Sequence, residues 1–104
     1  MAKRIKNRYM LAETSAQTDL RNQVNQRALE AEIMRVLGTV GYSYSNPKIM
    51  LARNNQFILR IQRSSEDSIV LALSFIKSIN GTTTGIYTIK TSGTIKSLKE
   101  LLLK

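Results

Sequence analysis

This sequence predicts an α+β sandwich of the ferredoxin-like kind, βαββαβ with an extra C-terminal helix and a four-stranded antiparallel sheet. Strand-like and helical apolar spacings follow one another in the order strand, helix, strand, strand, helix, strand, helix. The dipeptide Asn54-Asn55 joins two short β-prone runs as a tight hairpin would. No linker, repeat or low-complexity tract breaks the 104 residues, so residues 1–104 read as a single domain.

The first run alternates from Arg4 onward. Ile5, Tyr9 and Leu11 fall on one side, with Asn7 as the exception, and Arg4, Lys6, Arg8 and Met10 fall on the other. A strand carrying a basic row explains this better than a disordered basic arm. Thr14 to Asp19 is a polar link in which Thr18 or Asp19 caps the helix after it. From Leu20 to Leu37 there is no Gly or Pro, and Leu29, Ile33, Val36, Leu37 and Val40 recur at helical spacing. Leu20 and Val24 lie off that stripe, so the first turns bend away or pack against something else. Gly38 and Gly41 end the helix, and Tyr42 to Pro47 forms a loop whose two tyrosines stack on bases or cover a core edge.

Lys48 to Arg53 and Gln56 to Arg63 are the hairpin strands, with Phe57, Leu59 and Ile61 on one face and Ile58, Arg60 and Gln62 on the other. Ser64 and Asp67 are spaced as a capping-box helix start. Ile69, Ala72, Leu73, Ile76 and Ile79 then run at helical spacing to a stop at Asn80-Gly81. Val70, Leu71 and Phe75 widen that apolar stripe toward a partner. Thr82 to Thr91 is the fourth strand, with Tyr87 and Ile89 opposite Ile86, Thr88 and Lys90. Ile95, Leu98, Leu101 and Leu102 give the last helix an apolar face.

A split βαβ order puts the first and third strands in the centre and both main helices on one face. Those helices should cover Ile5, Tyr9, Leu11, Phe57, Leu59, Ile61, Tyr87 and Ile89. The opposite face should show Arg4, Lys6, Arg8, Arg60 and Lys90 among Met10, Ile58 and Ile86.

Sixteen Lys and Arg against seven Asp and Glu give a net charge of +9. On so small a domain that surplus points to a polyanion, with nucleic acid as the default partner. Cys and His are absent, which removes thiol nucleophiles, imidazole bases and zinc sets built from those ligands. The seven acids are scattered, with no close pair suited to a two-metal nuclease site. No apolar run approaches the roughly 18 residues of a membrane span or follows the basic start as a signal peptide would, so a soluble, intracellular protein without a membrane partner is expected.

Thr91-Ser92-Gly93-Thr94-Ile95-Lys96 is the stretch that carries chemistry. A Ser/Gly/Thr-rich strand-to-helix junction points N–H groups outward at a helix N-terminus, where a phosphate fits, and Lys96 and Lys99 follow within a turn. The plainer alternative is a capping Ser92 or Thr94 with Gly93 relieving a tight turn. RNA-binding domains of the RRM type share this topology but stack bases on aromatic residues of the central strands. Here the third strand reads Gln56-Phe57-Ile58-Leu59-Arg60-Ile61, with its one aromatic toward the core. Backbone contact through Lys and Arg is the better expectation.

Lys6-Asn7-Arg8-Tyr9-Met10-Leu11, followed by Glu13, resembles the opening K-x-R-Y-L-L-x-E strand of the small RRM-like protein subunit of archaeal and eukaryotic ribonuclease P. Ser92-Gly93-Thr94-Ile95-Lys96 resembles that family's S/G-G-T-I-K/R signature, and Arg35 to Gly41 is similar to the glycine-bounded end of its first helix. Met10 stands where Leu is commoner, a volume-conserving change. The resemblance spans essentially the whole chain. It implies a noncatalytic subunit of the ribonucleoprotein that removes the 5′ leader from precursor tRNA, with RNA as the catalyst and Mg²⁺ held by RNA phosphates rather than by the protein. It also implies ribonuclease P RNA, precursor tRNA, a TIM-barrel protein subunit and self-association as partners. Location would be cytoplasmic in an archaeon and nuclear or nucleolar in a eukaryote. The expected RNA contacts are Lys3, Arg4, Lys6 and Arg8 on the first strand and Ser92, Gly93, Thr94 and Lys96 at the last helix start. The competing readings are a ribosomal or other structural RNA-binding protein, a ferredoxin-like protein-interaction or small-ligand module, and an independent nuclease.

Overall fold

Residues 7–16 and 18–102 are described by the computed structural model. Its elements are β1 (Asn7–Thr14), α1 (Gln23–Ser45), β2 (Lys48–Arg53), β3 (Gln56–Gln62), α2 (Glu66–Ser74), β4 (Ser78–Ile79), β5 (Thr82–Thr83), β6 (Ile86–Ser92) and α3 (Ile95–Leu102). The main sheet has the order β2-β3-β1-β6, every pairing antiparallel, so the first and third long strands are central as the split βαβ rule requires. The β2–β3 hairpin turns at Asn54, whose φ of 52° is the left-handed conformation such a turn needs.

Three layers result. On one face Met10, Ala12, Phe57, Leu59, Ile61 and Ile86 pack with Leu29 and Ile33 of α1 and with Ile69 and Leu73 of α2. On the other, Leu11 and Ile58 pack under Leu98 and Leu102 of α3, flanked by Tyr9, Leu51, Ile95 and Leu101. The expected faces of β1 are therefore reversed: Tyr9 and Leu11 lie toward α3, while Met10, and Arg8 by alternation, lie toward α1 and α2. The reason is that Met10, Leu11 and Ala12 are consecutive and all essentially inaccessible, since both faces of this central strand are covered. Alternation finds the strand but cannot say which side meets which helix. Nor is the α3-side face open, because Ile58 is fully buried there. Its apolar middle is occupied by the chain's own last helix, leaving Arg60 and Lys90 nearer the rim.

The fourth strand also departs from expectation. Leu11 pairs with Lys90 and Ala12 with Thr88, so Ile89 is an extra, bulged residue and the alternation slips there. Ile86 joins the core, whereas Tyr87 and Ile89 are exposed. Ile5 lies outside the described residues.

Helix ends differ for identifiable reasons. Gly38 does not stop α1 but kinks it, with φ 75° and ψ 171°, a conformation open to glycine at low cost. The helix resumes to Ser45 and closes on Asn46 in the left-handed region, whose N–H donates to the Tyr42 carbonyl. Tyr42 to Ser45 are thus helical rather than loop. At the other end the cap is Asn22, whose side-chain oxygen accepts from the Val24 N–H at 2.8 Å, and not Thr18 or Asp19. Leu20 precedes the helix and is fully buried in the core, while Val24 is exposed. Ser64 does not cap α2 either: Arg63–Ser65 form a 3-10 turn, and the Ser64 hydroxyl meets Tyr44 at 3.2 Å. Asn80-Gly81 closes the β4–β5 hairpin instead of a long helix, both residues having positive φ (50° and 81°). Ile76 and Ile79 are buried as expected, but from beyond the helix.

Candidate nucleic-acid interface

Because β1 and β6 are antiparallel neighbours, the start of one lies beside the end of the other, and Tyr9 pairs with Ser92. Two motifs more than 80 positions apart are thereby joined. A Cβ built on Gly93 would stand 3.9 Å from Nη1 of Arg8, so the guanidinium lies against the strand-to-helix junction. Arg8 Nε donates to Glu66 Oε1 at 2.8 Å, across the sheet end to the first turn of α2. Each side chain is about one-third exposed (31% and 32%), so the pair is neither a free surface contact nor a buried one.

At the junction the Thr94 N–H donates to Ser92 Oγ at 3.2 Å, and the Thr94 and Ser97 hydroxyls lie 3.1 Å apart. These are helix-start hydrogen bonds, which is the capping role that the plainer alternative gave Ser92. The first N–H groups of α3 have no carbonyl one turn earlier to receive them and form the positive end of the helix dipole. Lys96 is exposed on the next residues and, with Lys90, Thr94, Ser97, Glu100 and Leu101, lines an open cleft of about 570 Å³. A smaller hollow of about 280 Å³ is lined by Arg8, Arg63, Ser64, Glu66 and Asp67.

Of the expected contacts, Arg8, Ser92, Gly93, Thr94 and Lys96 thus gather at one end of the sheet. Lys3, Arg4 and Lys6 lie outside the described residues. Sequence reasoning missed Lys90 as a neighbour of Lys96, because it assigned Lys90 to an open sheet face rather than to a cleft against α3. It also missed Glu66, whose pairing with Arg8 spans 58 positions and leaves no local trace.

The charge elsewhere is partly met by acids. Arg21 bonds Asp19 and Arg35 bonds Glu32, both at 3.1 Å. The Arg21 side chain and then its backbone N–H hold the Asp19 carboxyl below the usual carboxylate range, and Glu32 raises the Arg35 guanidinium further. Lys90 and Lys96 have no such partner among the described residues. No group of three or more Asp, Glu, His or Cys stands together there as a metal site would require, and no helix among them is long and apolar enough to cross a membrane. A separate apolar groove of about 310 Å³ runs between α1 and α2, where Tyr44, Leu71 and Phe75 are exposed.

The chain is similar to proteins named ribonuclease P protein component 2 from Saccharolobus islandicus. It is 29% identical over 97 residues to that of strain L.S.2.15 and 26% identical over 97 residues to that of strain M.14.25, in each case covering 91% of this chain and 68% of the relative. Its fold matches a chain in the cryo-EM structure of yeast ribonuclease MRP with a TM-score of 0.68 at 11% identity, over 98% of this chain and 92% of that one. The model of the Rpp14/Pop5 family of ribonuclease P proteins matches residues 8–103, and the chain belongs to that family.

Proposed function

We propose that this chain is a noncatalytic, RNA-binding subunit of ribonuclease P, supporting the removal of the 5′ leader from precursor tRNA. One observation carries the reading. The two stretches that bear the family resemblance meet through the Tyr9–Ser92 pairing and set Arg8 beside Gly93 at the start of α3. Guanidinium and ammonium groups around a helix N-terminus suit closely spaced phosphates and carry no group that would itself break a phosphodiester.

The chemistry then belongs to the RNA. Mg²⁺ held by RNA phosphates supplies Lewis-acid and nucleophile-activating chemistry. Arg8, Lys90 and Lys96 neutralise neighbouring phosphates, which lowers the repulsion that the folded RNA must overcome. The first N–H groups of α3 orient one such phosphate at the helix end. The protein partners belong to the same proposal: a TIM-barrel subunit and a second copy of this chain, for which the apolar groove between α1 and α2 offers suitable surface. With an archaeal source the site of action would be the cytoplasm, and with a eukaryotic one the nucleus or nucleolus.

The test is reconstitution of precursor-tRNA cleavage from the RNA and the other subunits, with and without this chain, across a Mg²⁺ series. Cleavage should reach half its maximum at lower Mg²⁺ when the chain is present, and the chain alone should leave the precursor intact. Equal Mg²⁺ dependence in both series would overturn the reading, as would cleavage by the protein without RNA.

A further inference from the structure

We propose that Glu66 is a positioning residue: it holds the Arg8 guanidinium so that its two Nη groups face a phosphate of the RNA over the Ser92-Gly93-Thr94 junction. This rests on the reading of Arg8 as a phosphate contact. A carboxylate beside an anion site is unexpected on charge alone, since it repels the ligand. The geometry resolves this. Glu66 takes only the Nε–H, at 2.8 Å, and among the described residues that is the one hydrogen bond of the Arg8 side chain. A carboxylate that occupied the Arg8 fork would engage two N–H groups side by side. Here the planar outer end, with its four N–H donors, stays available in the fork that a phosphate accepts.

Two further features support an orienting role. The Arg8 backbone is fixed in a central strand, paired with Ile61, so the side chain is held at both its root and its Nε. Gly93 lies beside its outer end, where a methyl would be in ordinary van der Waals contact with Nη1 at 3.9 Å, so the guanidinium is placed next to the junction. An arginine already held in one conformation loses less freedom on binding than a free one.

The plainer role for Glu66 is an acid in the first turn of α2, favourable to the helix dipole and indifferent to RNA. The two are separated by measuring the affinity of full-length chain for ribonuclease P RNA at one moderate salt concentration, in a cycle of wild type, Arg8→Ala, Glu66→Ala and the double variant, with Glu66→Gln alongside. Glu66→Ala should weaken binding by about three- to tenfold, even though it makes the chain more positive. Glu66→Gln, whose amide oxygen still accepts from Nε, should bind nearly as wild type. In the Arg8→Ala background the effect of Glu66→Ala should vanish. Tighter or unchanged binding by Glu66→Ala, or the same loss with and without Arg8, would overturn the positioning role. If Arg8→Ala weakens binding and Glu66→Ala does not, only this role falls; if Arg8→Ala changes nothing, the phosphate reading of Arg8 falls with it. Should Glu66→Ala melt below the assay temperature, Glu66→Ser, suited to a helix start and too short to reach Nε, takes its place under the same outcomes.

Discussion

Asp19 and Arg21 illustrate how little a well-formed surface contact does for the fold as a whole. The guanidinium and the backbone N–H of Arg21 both donate to the Asp19 carboxylate, at 3.1 Å each, and hold that carboxyl below its ordinary value of 3.8. A carboxyl whose folded pKa is depressed adds stability above its unfolded pKa and loses it as the pH falls through the folded one. The interaction is therefore fully made at neutral pH and fades only in acid below about 3.8. Both side chains are more than half exposed, so solvent screens the pair and its worth is small. We expect Asp19→Asn to leave the melting temperature at pH 7 nearly unchanged and to flatten the acid limb of the melting profile slightly, as thermal melts between about pH 2 and 7 would show. The residue scale is also where the sequence was least informative. Arg8 was legible as a basic residue on a strand, but its carboxylate partner at the start of α2 and its glycine neighbour before α3 are both distant in sequence.

Elements were legible where local chemistry decides them and obscure where tertiary contact does. The β2–β3 hairpin fell where Asn54-Asn55 put it, and the central placement of β1 and β3 followed from connection order. Asn80-Gly81 reads as a helix stop and is a hairpin turn, because positive φ serves both. Gly38 looked like a terminator, yet packing against the core continues α1 beyond it as far as Ser45. Its φ of 75° gives a direct test, because an L side chain is strained there. Gly38→Ala should destabilise the chain by about 1–3 kcal/mol, read by urea or thermal unfolding, although there is open space for the methyl. For α3, Leu98 is fully buried over Leu11 and Ile58. Leu98→Ala should cost about 2–5 kcal/mol and lower the melting temperature by roughly 10 °C or more. A shift of only a degree or two would mean that α3 contributes little to the fold.

At the level of the whole molecule, a net charge of +9 supplies attraction to any polyanion, while the β1, β6 and α3 junction is where the proposed function puts particular phosphates. Salt dependence separates the two. Replacing both Lys90 and Lys96 by Ala should reduce the slope of log affinity against log salt for ribonuclease P RNA by about 0.7–0.9 for each phosphate that is no longer neutralised. An unchanged slope would remove that cleft from the interface. Charge and topology were the most legible properties of this chain, since both depend on sums and order rather than on which side chain meets which. The three-layer arrangement has a consequence of another kind. α3 follows every other described element, yet its Leu98 and Leu102 cover Leu11 and Ile58. While the polypeptide is still being synthesised, that flank of the sheet stays wet until the helix has cleared the exit tunnel. Crowded polysomes would be where this chain is most exposed to aggregation.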